Sequence, residues 1–182
     1  MQVYAAMVDY MDDQIGNLIE TLDETGRLDN TIIVFASDNG ANATPGLKFY
    51  SLGDPEVWTR LGVNNDIDNI GKQGSFVSVG PDWADINNVP YGQYHKATAG
   101  QGGINANLII TAPMLDKSKI GTIDDNMIAA YDLAPTLYDL AGIELKDYPN
   151  TLPTEGVSHK RNLTKEGSET IRDSYGMELH NQ

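Results

Sequence analysis

The opening stretch of the chain is patterned for a helix. Val3, Met7, Tyr10, Met11, Ile15, Leu18, Ile19 and Leu22 recur at spacings of three and four, which puts them on one helical face. Asp9, Asp12, Asp13, Asn17 and Glu20 fall largely on the other. Gly26 stands where a glycine ends a helix by taking the left-handed conformation. The period then changes. Leu28-Asp29-Asn30 reads as a turn, and Thr31-Ile32-Ile33-Val34-Phe35-Ala36 is a short, nearly unbroken apolar and β-branched run. That is the pattern of a strand buried on both faces. Residues 106–112 repeat it and stop at Pro113, predicting a second core strand. Helix, tight turn and buried strand in succession predict an α/β layer architecture.

Between the strands, residues 40–103 carry abundant Gly, Asn, Asp and Pro with little sustained periodicity. Asn64, Asn65, Asn69, Asn87 and Asn88, with the steps Gly80-Pro81 and Val89-Pro90, predict turns and loops. Trp58, Phe76, Trp83, Tyr91 and Tyr94 supply apolar anchors, so the stretch is expected to be an ordered surface excursion. Asp132 to Gly142 reads as a short helix, with Asp132 as N-cap, Pro135 in the first turn and Gly142 closing the end. Beyond residue 145 the chain turns polar, and Ile171 to Gln182 shows no cap or return. His159 and His180 sit in this polar sequence without a spacing signal. The expected division is a body over 1–145 and a tail over 146–182.

Composition narrows the function. A chain of 182 residues is one domain by length, and 40% hydrophobic with 21% charged residues is a folded profile. Twelve basic against 26 acidic residues give a net charge of −14, which argues against nucleic acid and against an anionic membrane surface as partners. The absence of cysteine excludes disulfides, zinc-thiolate sites and a cysteine nucleophile within these residues. No apolar run approaches the roughly 18–20 residues of a membrane span, and the N-terminus lacks the basic-then-apolar order of a signal peptide. The expectation is a soluble acidic protein with no compartment assigned.

Two motifs carry candidate chemistry. Ser37-Asp38-Asn39-Gly40 follows the first strand directly, where ligands bind in open α/β sheets. Asp38 offers a carboxylate and Asn39 an amide carbonyl, hard oxygens suited to calcium or magnesium, and Gly40 lets the backbone turn beside them. The same residues also suit a plain Asx turn. Tyr94-His95-Lys96-Ala97-Thr98-Ala99-Gly100-Gln101-Gly102-Gly103 leads into the second strand. Lys96 beside a glycine-rich bend offers an ammonium and backbone N–H groups to a tetrahedral oxyanion, or is a solvated lysine. His95 is a weaker acid or base candidate beside an aromatic.

With the strand-SDNG segment at 30–40, the helix segments 4–9 and 12–16 before it, and further stretches in order, the chain resembles the sulfatase family, bacterial arylsulfatases most of all. Those stretches are Pro81-Asp82-Trp83-Ala84, Lys96 six residues before Gly102-Gly103-Ile104, residues 132–143, Glu155-Gly156-Val157-Ser158 and Tyr175-Gly176-Met177-Glu178-Leu179. The resemblance implies a partial alkaline-phosphatase-like α/β fold and hydrolysis of sulfate esters with a divalent metal. By position, Asp38 and Asn39 match the family's second pair of metal ligands, and Lys96 matches its sulfate-contacting lysine.

The chain also departs from that pattern. In the family a Cys-x-Pro-x-Arg or Ser-x-Pro-x-Arg motif yields the formylglycine nucleophile. None of the eight prolines here has serine two before it and arginine two after. Asp12-Asp13 lies on the opening helix and does not match the family's first metal pair. Gly92-Gln93 stands where relatives often carry an arginine. The chain is therefore expected to be the later half of an arylsulfatase catalytic domain, inactive alone by the formylglycine route. It is expected to self-associate or to pair with the absent N-terminal half. The alternatives are a metal-dependent phosphate ester hydrolase on the same fold and a non-catalytic assembly or binding module.

Overall fold

The computed structural model describes residues 1–44, 55–91, 100–146, 152–153, 155–164 and 170–176. Helix α1 spans Gln2–Glu24, as the apolar period predicts. Thr25 follows as C-cap, and Gly26 comes next at φ 64°, its N–H donating to the Asp23 carbonyl at 2.8 Å. The left-handed backbone at that point is why the chain uses glycine there. Ile15, Ile19 and Leu22 form a half-buried stripe, but Met7, Tyr10 and Leu18 of the same face are 65%, 66% and 58% exposed. No residue of α1 is fully buried.

Strands β1 (Ile33–Ala36) and β2 (Leu108–Thr111) pair as a two-stranded sheet. Ser37, just past β1, donates to the carbonyl of Asn107, just before β2, at 3.0 Å. The end of one strand therefore meets the start of the other, and the two run antiparallel. Both strands lie where the apolar runs predict them, but neither is buried on both faces. In β2, half-buried Leu108 and Ile110 alternate with exposed Ile109 and Thr111. Burial on both faces needs a layer packed on each, and the alternation shows that only one face of β2 is partly covered.

The chain divides into two compact units. Met1–Gly26 and Phe35–Ile109 belong to the first, and Arg27–Val34 and Ile110–Met177 to the second. In the first, the excursion between the strands is ordered over its described residues and contains three helices: α2 (Pro55–Leu61), α3 (Gly80–Asn87) and α4 (Gln101–Ile104). The step Gly80-Pro81 opens α3 where the pattern predicts a turn, because proline is welcome in a helix's first turn, where its missing N–H is no loss. The asparagines do the work of a missing ladder. Asn65 donates to the Phe76 carbonyl at 2.9 Å and accepts from the Phe76 N–H at 2.7 Å. Asn64 accepts from Asp66 N–H at 2.8 Å, and Asn69 donates to the Asn64 carbonyl at 2.8 Å. Trp58 and Phe76 meet edge to face with centroids 5.4 Å apart, which anchors this loop to α2.

In the second unit, α5 (Leu133–Leu140) follows a single 3-10 turn at Ala130–Asp132 and ends before Gly142 at φ 70°. Pro135, Thr136 and Leu140 are its buried residues. Helix α6 (Lys160–Leu163) packs against it, and Leu163 accepts from Asp116 N–H at 3.1 Å. Gly156 lies so close to the Tyr131 carbonyl that a Cβ there would collide with it.

Candidate functional site

Asp38 and Asn39 lie immediately beyond β1, with Asp38 exposed and Asn39 half-buried. The turn that carries them is fixed by hydrogen bonds of both its side chains and its backbone. Ser37 Oγ donates to the Asn39 carbonyl at 2.9 Å, and Asn39 Nδ2 donates to the Gly40 carbonyl at 3.0 Å. Gly40 N–H donates to the Gly103 carbonyl at 3.0 Å, and Ala41 N–H to Asn88 Oδ1 at 3.0 Å. Gly40 is required for a different reason from the one its place in a turn suggests. Its Cα packs directly on the Gly102 carbonyl, so any Cβ would overlap that oxygen. Close approach of two backbone segments is what excludes a side chain there.

The donor set left over suits a hard cation. Asn39 spends its amide nitrogen on Gly40, so its side-chain oxygen is left for another ligand. The Asp38 carboxylate accepts no hydrogen bond among the described residues. These are two hard oxygens on adjacent residues, of the roughly six to eight that calcium takes. No cluster of three or more His, Cys, Asp or Glu able to hold a metal is found among the described residues. His95 and Lys96 lie outside the described residues. Their motif's far end, Gly102 and Gly103, is the buried backbone that touches Gly40.

A second constellation was not legible in the sequence. Asp132 does stand at the N-cap of α5, yet its carboxylate makes no cap bond to that helix. It is fully buried and accepts from Ala129 N–H at 2.9 Å, Val157 N–H at 2.8 Å, and Arg172 Nη2 and Nε at 2.7 and 3.3 Å. Burial works to raise its pKa, but the Arg172 hydrogen bonds, the two backbone N–H groups and the guanidinium charge outweigh it. The carboxyl is held below its ordinary value. The same hydrogen bond raises Arg172. Arg172 also lies 5.0 Å from the Tyr131 ring centroid, and Tyr131 sits 6.1 Å from Tyr175. So the described part of the closing stretch, residues 171–176, does return to the body of this unit, contrary to its polar, uncapped sequence.

His159, which the pattern leaves in polar tail, is 1% exposed. Its N–H donates to Thr136 Oγ1 at 3.0 Å, and that hydroxyl donates to the Asp132 carbonyl at 2.6 Å. Its Nε2 is 3.5 Å from Asp132 Oδ2 without the alignment of a hydrogen bond. Every oxygen of Asp132 is committed to protein donors. This is a structural hub, with no capacity left for a ligand.

The family model "Sulfatase" matches residues 1–143. The chain belongs to the sulfatase family. It holds part of that family's alkaline-phosphatase-like α/β fold. It is 51% identical over 162 residues to an arylsulfatase of Klebsiella aerogenes, covering 87% of this chain and 33% of that protein. It is 27% identical over 157 residues to a choline-sulfatase of Rhizobium meliloti, covering 86% of this chain and 21% of the relative. A solved phosphonate monoester hydrolase from Silicibacter pomeroyi matches with a TM-score of 0.49 at 25% identity, over 88% of this chain and 21% of that one. The sulfatase chain thus spans a third or less of the length of these relatives. Sulfatases act on sulfate esters and generally use a metal ion. Among the described residues, no helix is long and apolar enough to cross a membrane.

Proposed function

We propose that the protein serves sulfate-ester hydrolysis of the arylsulfatase kind, with Asp38 and Asn39 as part of the site for a divalent metal, calcium or magnesium. Lys96 is the residue that contacts the sulfate, and His95 a secondary acid–base candidate. The observation that carries this reading is the 51% identity to an arylsulfatase over 162 residues, in a chain whose Asp38 and Asn39 side-chain oxygens accept no hydrogen bond among the described residues. When bound, the metal would polarise the sulfate and stabilise charge developing on its oxygens. Asp38 would supply a full negative charge to that ion and Asn39 a neutral carbonyl. The clamp of Gly40 on Gly102 and Gly103 ties the turn bearing both to the segment that Lys96 precedes. A lysine ammonium there would offset the charge of the ester's oxygens.

The formylglycine nucleophile does not fit these residues. There is no cysteine, and no serine stands in the Ser-x-Pro-x-Arg arrangement. No step is therefore assigned to it, and the 182-residue chain is expected not to turn over an aryl sulfate by itself. The exposed face of α1, with Met7, Tyr10 and Leu18, supports a contact with a second copy or with further sulfatase sequence.

The test is direct. Calcium binding, followed by calorimetry, should be present in the wild-type chain and lost in Asp38→Ala, and binding of inorganic sulfate should weaken in Lys96→Ala. Chromogenic aryl sulfate and aryl phosphate should both stay intact. Chelator-sensitive turnover of either ester, lost in Asp38→Ala, would overturn the expected inactivity by showing that these residues complete a site with another nucleophile, and a wild-type chain that binds no calcium would overturn the metal reading.

A further inference from the structure

Asn88 caps the C-terminus of α3, and its side chain reaches across 47 residues of sequence to the turn after β1. Its Oδ1 accepts the Ala41 N–H at 3.0 Å. The facing group is a donor, so the side-chain oxygen and not the nitrogen must point there. The residue is buried, at 9% exposure, and its Nδ2 has no partner among the described residues. All that this buried polar group does within the described residues is hold Ala41. The same oxygen would lie 3.3 Å from a Cβ built on Gly40, so it closes one side of the slot whose other side is the Gly102 carbonyl.

Among the described residues, the turn Ser37–Ala41 is therefore held to other segments at three points. Ser37 N–H is bonded to Asn107 and Gly40 N–H to Gly103, both along the backbone, and Ala41 is bonded to Asn88. Among these, only the last attachment is to a side chain of another segment, and it lies two residues from Asn39. We infer that Asn88 is a positioning residue for the Asp38–Asn39 oxygen pair: it fixes the exit of their turn and so sets where the two ligand oxygens stand for a hard divalent cation. This deepens the metal reading proposed above and rests on it. Groups that orient metal ligands commonly matter about 10–100-fold in affinity, although Asn88 itself touches no ligand oxygen.

The experiment is an NMR titration of the full chain with calcium chloride, reading Kd from the Asp38 and Asn39 amides, together with hydrogen exchange at the Ala41 amide. Asn88→Leu keeps the size and removes the acceptor. It should weaken calcium binding about 10-fold or more and speed Ala41 exchange, while α1 keeps its protection. Asn88→Asp restores an acceptor oxygen and should return Ala41 to slow exchange, a rescue that a purely space-filling role would not give. If Asn88→Leu unfolds the chain, Asn88→Ser, too short to reach Ala41, takes its place in the same comparison. Wild-type affinity or a still-protected Ala41 in the acceptor-less variant, with Asp38→Ala abolishing binding, would overturn this inference alone. A wild-type chain whose Asp38 and Asn39 amides ignore calcium would overturn the metal reading and the inference with it.

Discussion

Asp38, past the end of β1, is exposed and accepts no hydrogen bond among the described residues, whereas Asp132, ahead of α5, is fully buried and saturated by Ala129, Val157 and Arg172. The same carboxylate thus serves opposite ends. A buried carboxylate has to be matched by protein donors, or its lost hydration goes uncompensated. Once matched, it holds structure together and offers nothing outward. An exposed carboxylate on a rigid turn adds little to folding and keeps its charge for a ligand. In this chain, a short list of partners marks the residue to test for function, and a long list marks the residue to test for stability.

The sharpest way to break that contrast is Asp132→Ala. Arg172 and two backbone N–H groups would lose their acceptor together, and the expected loss is about 3 kcal/mol of stability, read as a lower urea midpoint. A change below about 1 kcal/mol would mean that the hub relaxes into water and that its burial is incidental. Acid gives a milder version of the same cut. A carboxyl held below its ordinary value contributes stability that is complete above its unfolded pKa of about 4. That contribution fades as pH falls through the lower folded value. The wild-type chain should therefore lose stability below about pH 4, and Asp132→Asn should flatten that part of the profile. An unchanged slope in Asp132→Asn would move the acid sensitivity to other carboxyls.

Asp38→Ala should do the reverse of Asp132→Ala. Its stability should stay within about 0.5 kcal/mol of wild type, while calcium binding disappears. A large stability loss would show that Asp38 is a structural residue after all and remove the contrast. The smallest effect belongs to Lys160→Met. Lys160 Nζ is 3.5 Å from Asp139 Oδ1 with both side chains partly exposed, and such pairs contribute less than about 1 kcal/mol and fade in salt. Equal urea midpoints for wild type and Lys160→Met at high salt would place this pair at the weak end of the scale that Asp132 heads.

What could be read in the sequence was local. α1, β1, β2 and α5 rest on periods that neighbouring residues set among themselves, and all lie where the patterns put them. The short α3 hid behind Gly80-Pro81, because a dipeptide that signals a turn can also open a helix. The depth of burial was overestimated for β1 and β2, since an apolar run records what a strand could bury and not how many neighbours it has. The rest was hidden by distance. Asp132 offers an N-cap to its own helix, but its carboxylate goes to Val157, 25 residues on, and to Arg172, 40 residues on. Asn88 looked like loop material because its partner lies 47 residues back. Asp38 and Asn39 draw notice because a strand end is a place to look, and the role proposed for them comes from their likeness to a family motif.

The reach of Arg172 to Asp132 also sets an order in time. The carboxylate leaves the ribosome 40 residues before the guanidinium that covers it, an interval of about 2–8 s at roughly 5–20 residues per second. Val157 arrives partway, 25 residues after Asp132. Until Arg172 follows, closing this unit over Asp132 would enclose a charge answered only by backbone N–H groups, so hydration favours leaving it open. A nascent chain halted between Val157 and Arg172 should hold α5 with its hub still wet. The final cation would then be the latch that lets the second unit shut, and synthesis of the last dozen residues of the described sequence would decide when.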